Sequence, residues 1–146
     1  MVFGLVLQPT HKPFYSSKKA TMTSRLDLRP IIKTKEFEKS TDEEKFQTLT
    51  LRPILKLQND LLLGLFKNHI TESKIMYYSL SPENKVLFIE NSLQKNIVLK
   101  NKLIGVTLGM LTIEELAVYS ADTNLYNKRI MSLLIERIRS QISLLV

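Results

Sequence analysis

The sequence predicts an all-α protein, a compact bundle of four or five helices behind a basic N-terminal leader that is largely disordered. Apolar residues recur at helical spacing from Pro53 to the C-terminus. Helix-start signals stand at Pro53, at Ser81-Pro82-Glu83 and at Thr112-Ile113-Glu114-Glu115. No stretch after Pro53 alternates convincingly as a strand. With 146 residues, 44% of them hydrophobic, the chain has enough apolar material for one core.

The expected division is a leader and linker over 1–47 and a helical domain over 48–146. Residues 1–24 carry Pro9, Pro13 and scattered Ser and Thr without a sustained period, which is the pattern of disorder. Met22 offers an alternative start, with the preceding residues an upstream extension. Residues 34–47 (TKEFEKSTDEEKFQ) are charged and weakly apolar, a linker or a marginal solvent helix. A short echo joins Leu28-Arg29-Pro30-Ile31-Ile32-Lys33 to Leu51-Arg52-Pro53-Ile54-Leu55-Lys56. It is either coincidence or a strap that imitates the second copy and packs near it.

The first helix is expected from Pro53 to about His69, because proline suits the first helical position, where its missing N–H is not needed. Lys56, Asp60 and Lys67 fall in a narrow polar stripe, and apolar residues cover most of the rest. So wide an arc predicts the central helix of the bundle. Ser81-Pro82-Glu83 opens the next helix, with Val86, Ile89, Leu93 and Ile97 at helical spacing. Residues 82–108 read as one helix or as two with a break near Lys95–Asn96. Gly109 is a natural stop, and with Gly105 it forms a small-xxx-small pattern that fits a close helix crossing. The capping box at Thr112 and Glu115 predicts a short helix from about Ile113 to Ser120. The last helix begins after Asp122 or Thr123 and runs nearly to Leu144. Ile130, Met131, Leu134, Ile135, Ile138, Ile142 and Leu145 form its apolar arc.

Function is far less legible. Absence of cysteine removes disulfides, thiolate nucleophiles and cysteine metal sites together, and suits a reducing cytoplasm. Val2–Leu7 is too short for a secretory core, and no apolar run approaches the ~20 residues of a membrane span. The expectation is a cytoplasmic protein without membrane contact. Of the net charge of +7, residues 1–35 hold +6, from seven Lys/Arg against Asp27 alone. The helical domain is nearly neutral, which argues against a nucleic-acid-binding fold. Lys128, Arg129 and Arg139 share one arc of the last helix, but Glu136 stands among them.

Four polar residues sit on apolar arcs and are expected to be buried: Gln58, Asn59, His69 and Asn127. Gln58 and His69 lie at nearly the same helical angle, so they are either a polar pocket inside the bundle or a satisfied core glutamine and a histidine at a frayed helix end. Asn59 and Asn127 fit helix crossings, bonded to backbone carbonyls. His69 and Glu72 could share a face as metal ligands, but the domain has no second histidine, so no metal or other cofactor is expected. No catalytic set is recognisable. Met76, Tyr77 and Tyr78 are expected to form an exposed aromatic patch for a protein partner.

The stretches LRPILKLQNDLLLGLFKN (Leu51–Asn68), FIENSLQKN (Phe88–Asn96), GMLTIEELAVY (Gly109–Tyr119) and NKRIMSLLIERIRSQI (Asn127–Ile142) resemble a group of small, mostly uncharacterised helical proteins of Bacteroidetes, some of which carry the name glyoxalase. The resemblance covers about residues 50–146. That name implies a metal-dependent lyase built on strands, with His and Glu ligands. This sequence offers no such strands and one histidine after Pro53, so no functional residue carries over. The expected function is therefore non-enzymatic, through a protein-binding or self-association surface. A glyoxalase-type lyase is the alternative, and nucleic-acid binding by the leader the third reading.

Overall fold

The computed structural model describes residues 24–33 and 39–146, and every regular element among them is helical. Helices α1 (Asp42–Phe46), α2 (Arg52–Leu57) and α3 (Asn59–Glu72) follow almost end to end, then α4 (Pro82–Lys95), α5 (Ile97–Leu108), α6 (Ile113–Ala121) and α7 (Thr123–Arg139). Three helix pairs meet around α5, which packs on α3, α4 and α7, while α7 also packs on α4 and α6.

The folded helical chain begins earlier than the boundary expected at residue 48. Thr41 and Glu44 form a reciprocal capping box, and Asp42, Glu43 and Glu44 place acid in the first turn, where the helix dipole favours it. Phe46 then enters the core, edge-on to Tyr126 at 4.9 Å. The remaining leader residues, 1–23 and 34–38, lie outside the described residues, and with them most of the expected disorder.

Pro53 stands in the first turn of α2, as expected, but helical conformation does not begin there. Proline cannot donate to the carbonyl four residues back, and its ring crowds that carbonyl. The chain widens upstream into a π-helical stretch, Gln47–Leu51, in which the Arg52 N–H bonds to the Gln47 carbonyl five residues back. Helical conformation thus passes through the proline. It breaks at Gln58 (φ −88°, ψ 9°), so the expected single helix to His69 is two.

Nor is that first rod the centre of the bundle. Ile54, Leu55, Leu62, Leu63, Phe66 and Ile70 are buried, but Leu57 and Leu61, on the same wide apolar arc, are exposed. The core lies where these buried residues join Ile89 and Leu93 of α4, Leu99, Leu103 and Ile104 of α5, and Ile130, Leu134 and Ile138 of α7.

Residues 82–108 form two helices. Asn96 leaves helical conformation (φ −84°, ψ 99°) and its Oδ1 accepts from the Leu99 N–H at 3.0 Å, capping α5. Gly109 ends α5 in right-handed conformation. The expected close crossing at Gly105 and Gly109 is absent: Gly105 is exposed, and a Cβ there would meet nothing within 4 Å. At the end of α3, Lys74 takes the left-handed position (φ 57°) that glycine usually fills. The last helix ends at Arg139, and one 3-10 turn (Ile142–Leu144) brings Leu145 into the core.

Candidate functional site

The most heavily bonded polar group sits where the leader meets α6. Ser24–Arg29 is a compact turn, closed by the Ser24 N–H on Asp27 Oδ2 at 2.9 Å and the Arg29 N–H on the Leu26 carbonyl at 3.1 Å. From it two arginines reach the α5–α6 junction. Arg25 Nη1 donates to the Leu111 carbonyl at 3.0 Å, and Arg29 Nη2 to the Met110 carbonyl at 2.7 Å. Arg29 also grips Glu115 with both terminal nitrogens, at 2.6 and 2.7 Å. The two side chains are only 6% and 16% exposed.

Glu115 is held by the α6 capping box, where it accepts from the Thr112 N–H at 2.9 Å, and by Thr50 Oγ1 at 3.4 Å. Burial alone would raise its pKa, but the Arg29 and Thr112 hydrogen bonds, the Arg29 charge and Thr50 together hold it below the usual 4.5. The capping reading of Glu115 was incomplete, because the same carboxylate fastens the leader. The strap reading of Leu28–Lys33 has a physical counterpart here. The strap docks on α6, beside Thr50 at the head of the second LRP copy.

The segments that meet at this anchor expose several large apolar side chains among polar ones. Leu26, Leu28 and Ile31 on the strap, Leu49 beside Thr50, and Ile113 and Leu116 beside Glu115 are all exposed, Ile31 at 96% and Ile113 at 74%. Each lies within three residues of Arg29, Thr50 or Glu115. Tyr119 is the one buried residue of α6, so most of that helix faces outward.

The residues singled out in the sequence are dispersed. Asn59 joins α3 to the end of α7 by a reciprocal amide pair with Gln141, at 2.9 and 2.8 Å, and accepts from Arg137 Nη1 at 3.2 Å. Its partners are side chains, where backbone carbonyls were expected. Asn127 is half-buried and accepts from the Tyr119 hydroxyl at 2.8 Å, also in place of a carbonyl. Gln58 is the half-exposed residue of the α2–α3 break, and forms no buried pocket with His69.

His69 is half-buried, stacked on Phe88 at 5.7 Å, with Nε2 buried and without a hydrogen-bond partner. Burial lowers its pKa, Glu72 opposes this, and Lys102 adds to it. No group of three or more His, Asp or Glu side chains comes together around a point among the described residues.

The aromatic patch needs one correction. Tyr77 is fully buried, packed on Phe88 at 5.4 Å beneath the Lys85 ammonium, and its hydroxyl has no partner. Only Met76 and Tyr78, with Ile75, are exposed. The short segment between α3 and α4 has no period from which the inward residue could be read.

The basic arc of α7 is largely engaged within the fold. Arg129 Nη1 donates to Gln47 Oε1 at 2.8 Å, and Arg139 pairs with Glu90 at 3.0 Å. No helix among the described residues is long and apolar enough to cross a membrane. Comparison with known protein families, with characterised proteins and with solved structures finds no match.

Proposed function

We propose that the chain is a non-enzymatic interaction protein that binds a protein partner, or a second copy of itself, through the apolar face built by the strap and α6. The observation that carries the reading is that the strap and α6, the two segments joined by the buried Arg29–Glu115 pair, each carry several exposed apolar side chains. Clustered exposed apolar residues mark interaction surfaces more often than single ones do. Here an irregular segment is held by two arginines, so its Leu26, Leu28 and Ile31 are ordered before any partner arrives. Preorganisation of this kind lowers the entropic cost of association.

The test combines sedimentation equilibrium over a wide concentration range with partner capture from the native host. Ile31→Glu combined with Leu116→Glu should abolish concentration-dependent association or the captured partner. Leu87→Glu, at an exposed position on α4, should leave either one intact. A monomer at every concentration, with partner capture indifferent to the double substitution, would refute the reading.

A further inference from the structure

We infer that the cleft between α2 and the C-terminal half of α7 binds a small oxyanion, a carboxylate or phosphate group, on Arg52 and Arg137. The two arginines line one cleft of about 250 Å³, together with Leu55, Glu136 and Gln141. Arg137 has no carboxylate within 4.0 Å among the described residues, unlike Arg29, Arg52 and Arg139. Its protein acceptor is Asn59 Oδ1 at 3.2 Å, and Asn59 is itself locked in the amide pair with Gln141. A guanidinium carries five N–H donors in a fixed fork. One bond to Asn59 orients that fork and leaves donors over, and none of the Arg137 nitrogens is buried without a partner.

Arg52 is only loosely matched. Its nearest carboxylate oxygen, Glu136 Oε2, is 3.8 Å away on a side chain that is 65% exposed. That distance is beyond hydrogen-bonding range, so solvent competes for both groups. Two arginines facing one acid leave the cleft with a net positive charge. Burial, and then the charge of Arg52, lowers the Arg137 pKa, with Glu136 opposing. An incoming oxyanion would relieve that repulsion and accept the unused donors in the bidentate geometry that arginine favours. The ligand class follows from size. Pockets for drug-sized molecules start near ~300 Å³, so this cleft fits one anionic group with a short substituent. The buried Leu55 side of the cleft shields such a group from water.

The experiment follows arginine Nε–Hε resonances while inorganic phosphate, and separately acetate, is titrated at constant ionic strength. Saturable shifts at Arg137 and Arg52 are expected with at least one of the two anions, and the anion that binds identifies the oxyanion. Arg137→Gln and Arg52→Gln should each weaken binding about tenfold or more, the equivalent of one hydrogen bond to a charged group. Glu136→Gln should tighten it, and Arg139→Gln should leave it unchanged. If the half-buried Arg137 variant fails to fold, the more exposed Arg52→Gln carries the comparison. Shifts that stay linear with both anions, or that chloride reproduces, mean screening only and overturn the inference. Undiminished affinity in Arg52→Gln does the same.

Discussion

Arg29→Ala should be the most damaging single change outside the apolar core. Arg29 makes three short bonds, two to the Glu115 carboxylate at 2.6 and 2.7 Å and one to the Met110 carbonyl at 2.7 Å, with its side chain 6% exposed. Removing one partner of a fully buried pair costs about 3–5 kcal/mol, because a charge is left without compensation. Glu115 is better protected than that. It keeps the Thr112 N–H and the Thr50 hydroxyl and some solvent access. Any part of the strap that comes loose also regains backbone entropy, which offsets some of the loss. The net expectation is a loss of about 2–3 kcal/mol. Arg29→Lys should lose about 1 kcal/mol, since the charge survives but the fork does not.

Urea unfolding followed by far-ultraviolet circular dichroism measures these losses, and a double-mutant cycle with Glu115→Ala isolates the pair. A coupling of about 2 kcal/mol is expected, well above the error of such cycles. The pH dependence gives an independent check. The Glu115 pKa is depressed in the folded state, so its contribution is complete above the unfolded value near 4.5 and is lost as pH falls through the lower folded value. The coupling should therefore fade in acid below pH 4.5. If Arg29→Ala stays within about 0.5 kcal/mol of the parent and the coupling is near zero, the strap is not seated on α6 in solution. The proposed interaction face would then lose its ordered half.

Further outcomes follow from the packing. Leu62→Ala or Phe66→Ala should each cost about 2–5 kcal/mol in the same unfolding assay, against about 0.5 or less for the exposed Lys56→Ala. Tyr77→Phe should leave stability unchanged or raise it by up to about 1 kcal/mol, because the buried hydroxyl it removes has no partner. Lys74→Gly should stabilise by about 0.5–1 kcal/mol, since a side chain at φ 57° is strained where glycine is not. His69 has a folded pKa below its ordinary 6.5, so the unfolded chain takes up protons first as the pH falls. The parent should lose stability from about pH 6.5 downward, levelling off below the folded value, and His69→Gln should lack that slope.

Most helices were legible because their signals are local. A capping box needs four residues, and Thr112 with Glu115 places α6 correctly without any tertiary information. The apolar arc of α7 is equally self-contained. Errors arose where two local signals conflicted or where none existed. Pro53 does stand in the first turn of α2, but helical conformation reaches it from α1 through a widened turn, which no propensity scale encodes. The break at Asn96 was ambiguous because Ile97–Ile104 keeps the apolar phase of the preceding helix, while the asparagine cap stops the backbone. The Arg29–Glu115 pair joins residues 86 positions apart, beyond any periodicity. Its only trace in the sequence is the LRP echo, which is too short to separate from coincidence.

That echo places one local sequence in two electrostatic environments. In the first copy, Arg29 meets a carboxylate at 2.6 Å that a helix cap holds rigid, and both side chains are nearly shut off from water. In the second, Arg52 meets Glu136 at 3.8 Å, on side chains that are 40% and 65% exposed. An attraction between unit charges weakens in proportion to distance and to the surrounding dielectric. Both factors favour the first pair, so it fixes structure. The second remains loose enough for a better acceptor to displace Glu136. The difference does not come from the motif, which is the same at Leu28-Arg29-Pro30 and Leu51-Arg52-Pro53. It comes from what faces each arginine: a helix N-terminus closed by its capping box in one case, the solvent side of α7 beside a second arginine in the other. Exchanging the character of the two sites is then a matter of the acid. Glu136→Ala should leave Arg52 and Arg137 facing an anion without competition and cost little stability, whereas Glu115→Ala should strand Arg29 and cost about as much as Arg29→Ala does. Equal costs for the two glutamate substitutions in urea unfolding would show that the two arginines play the same role after all.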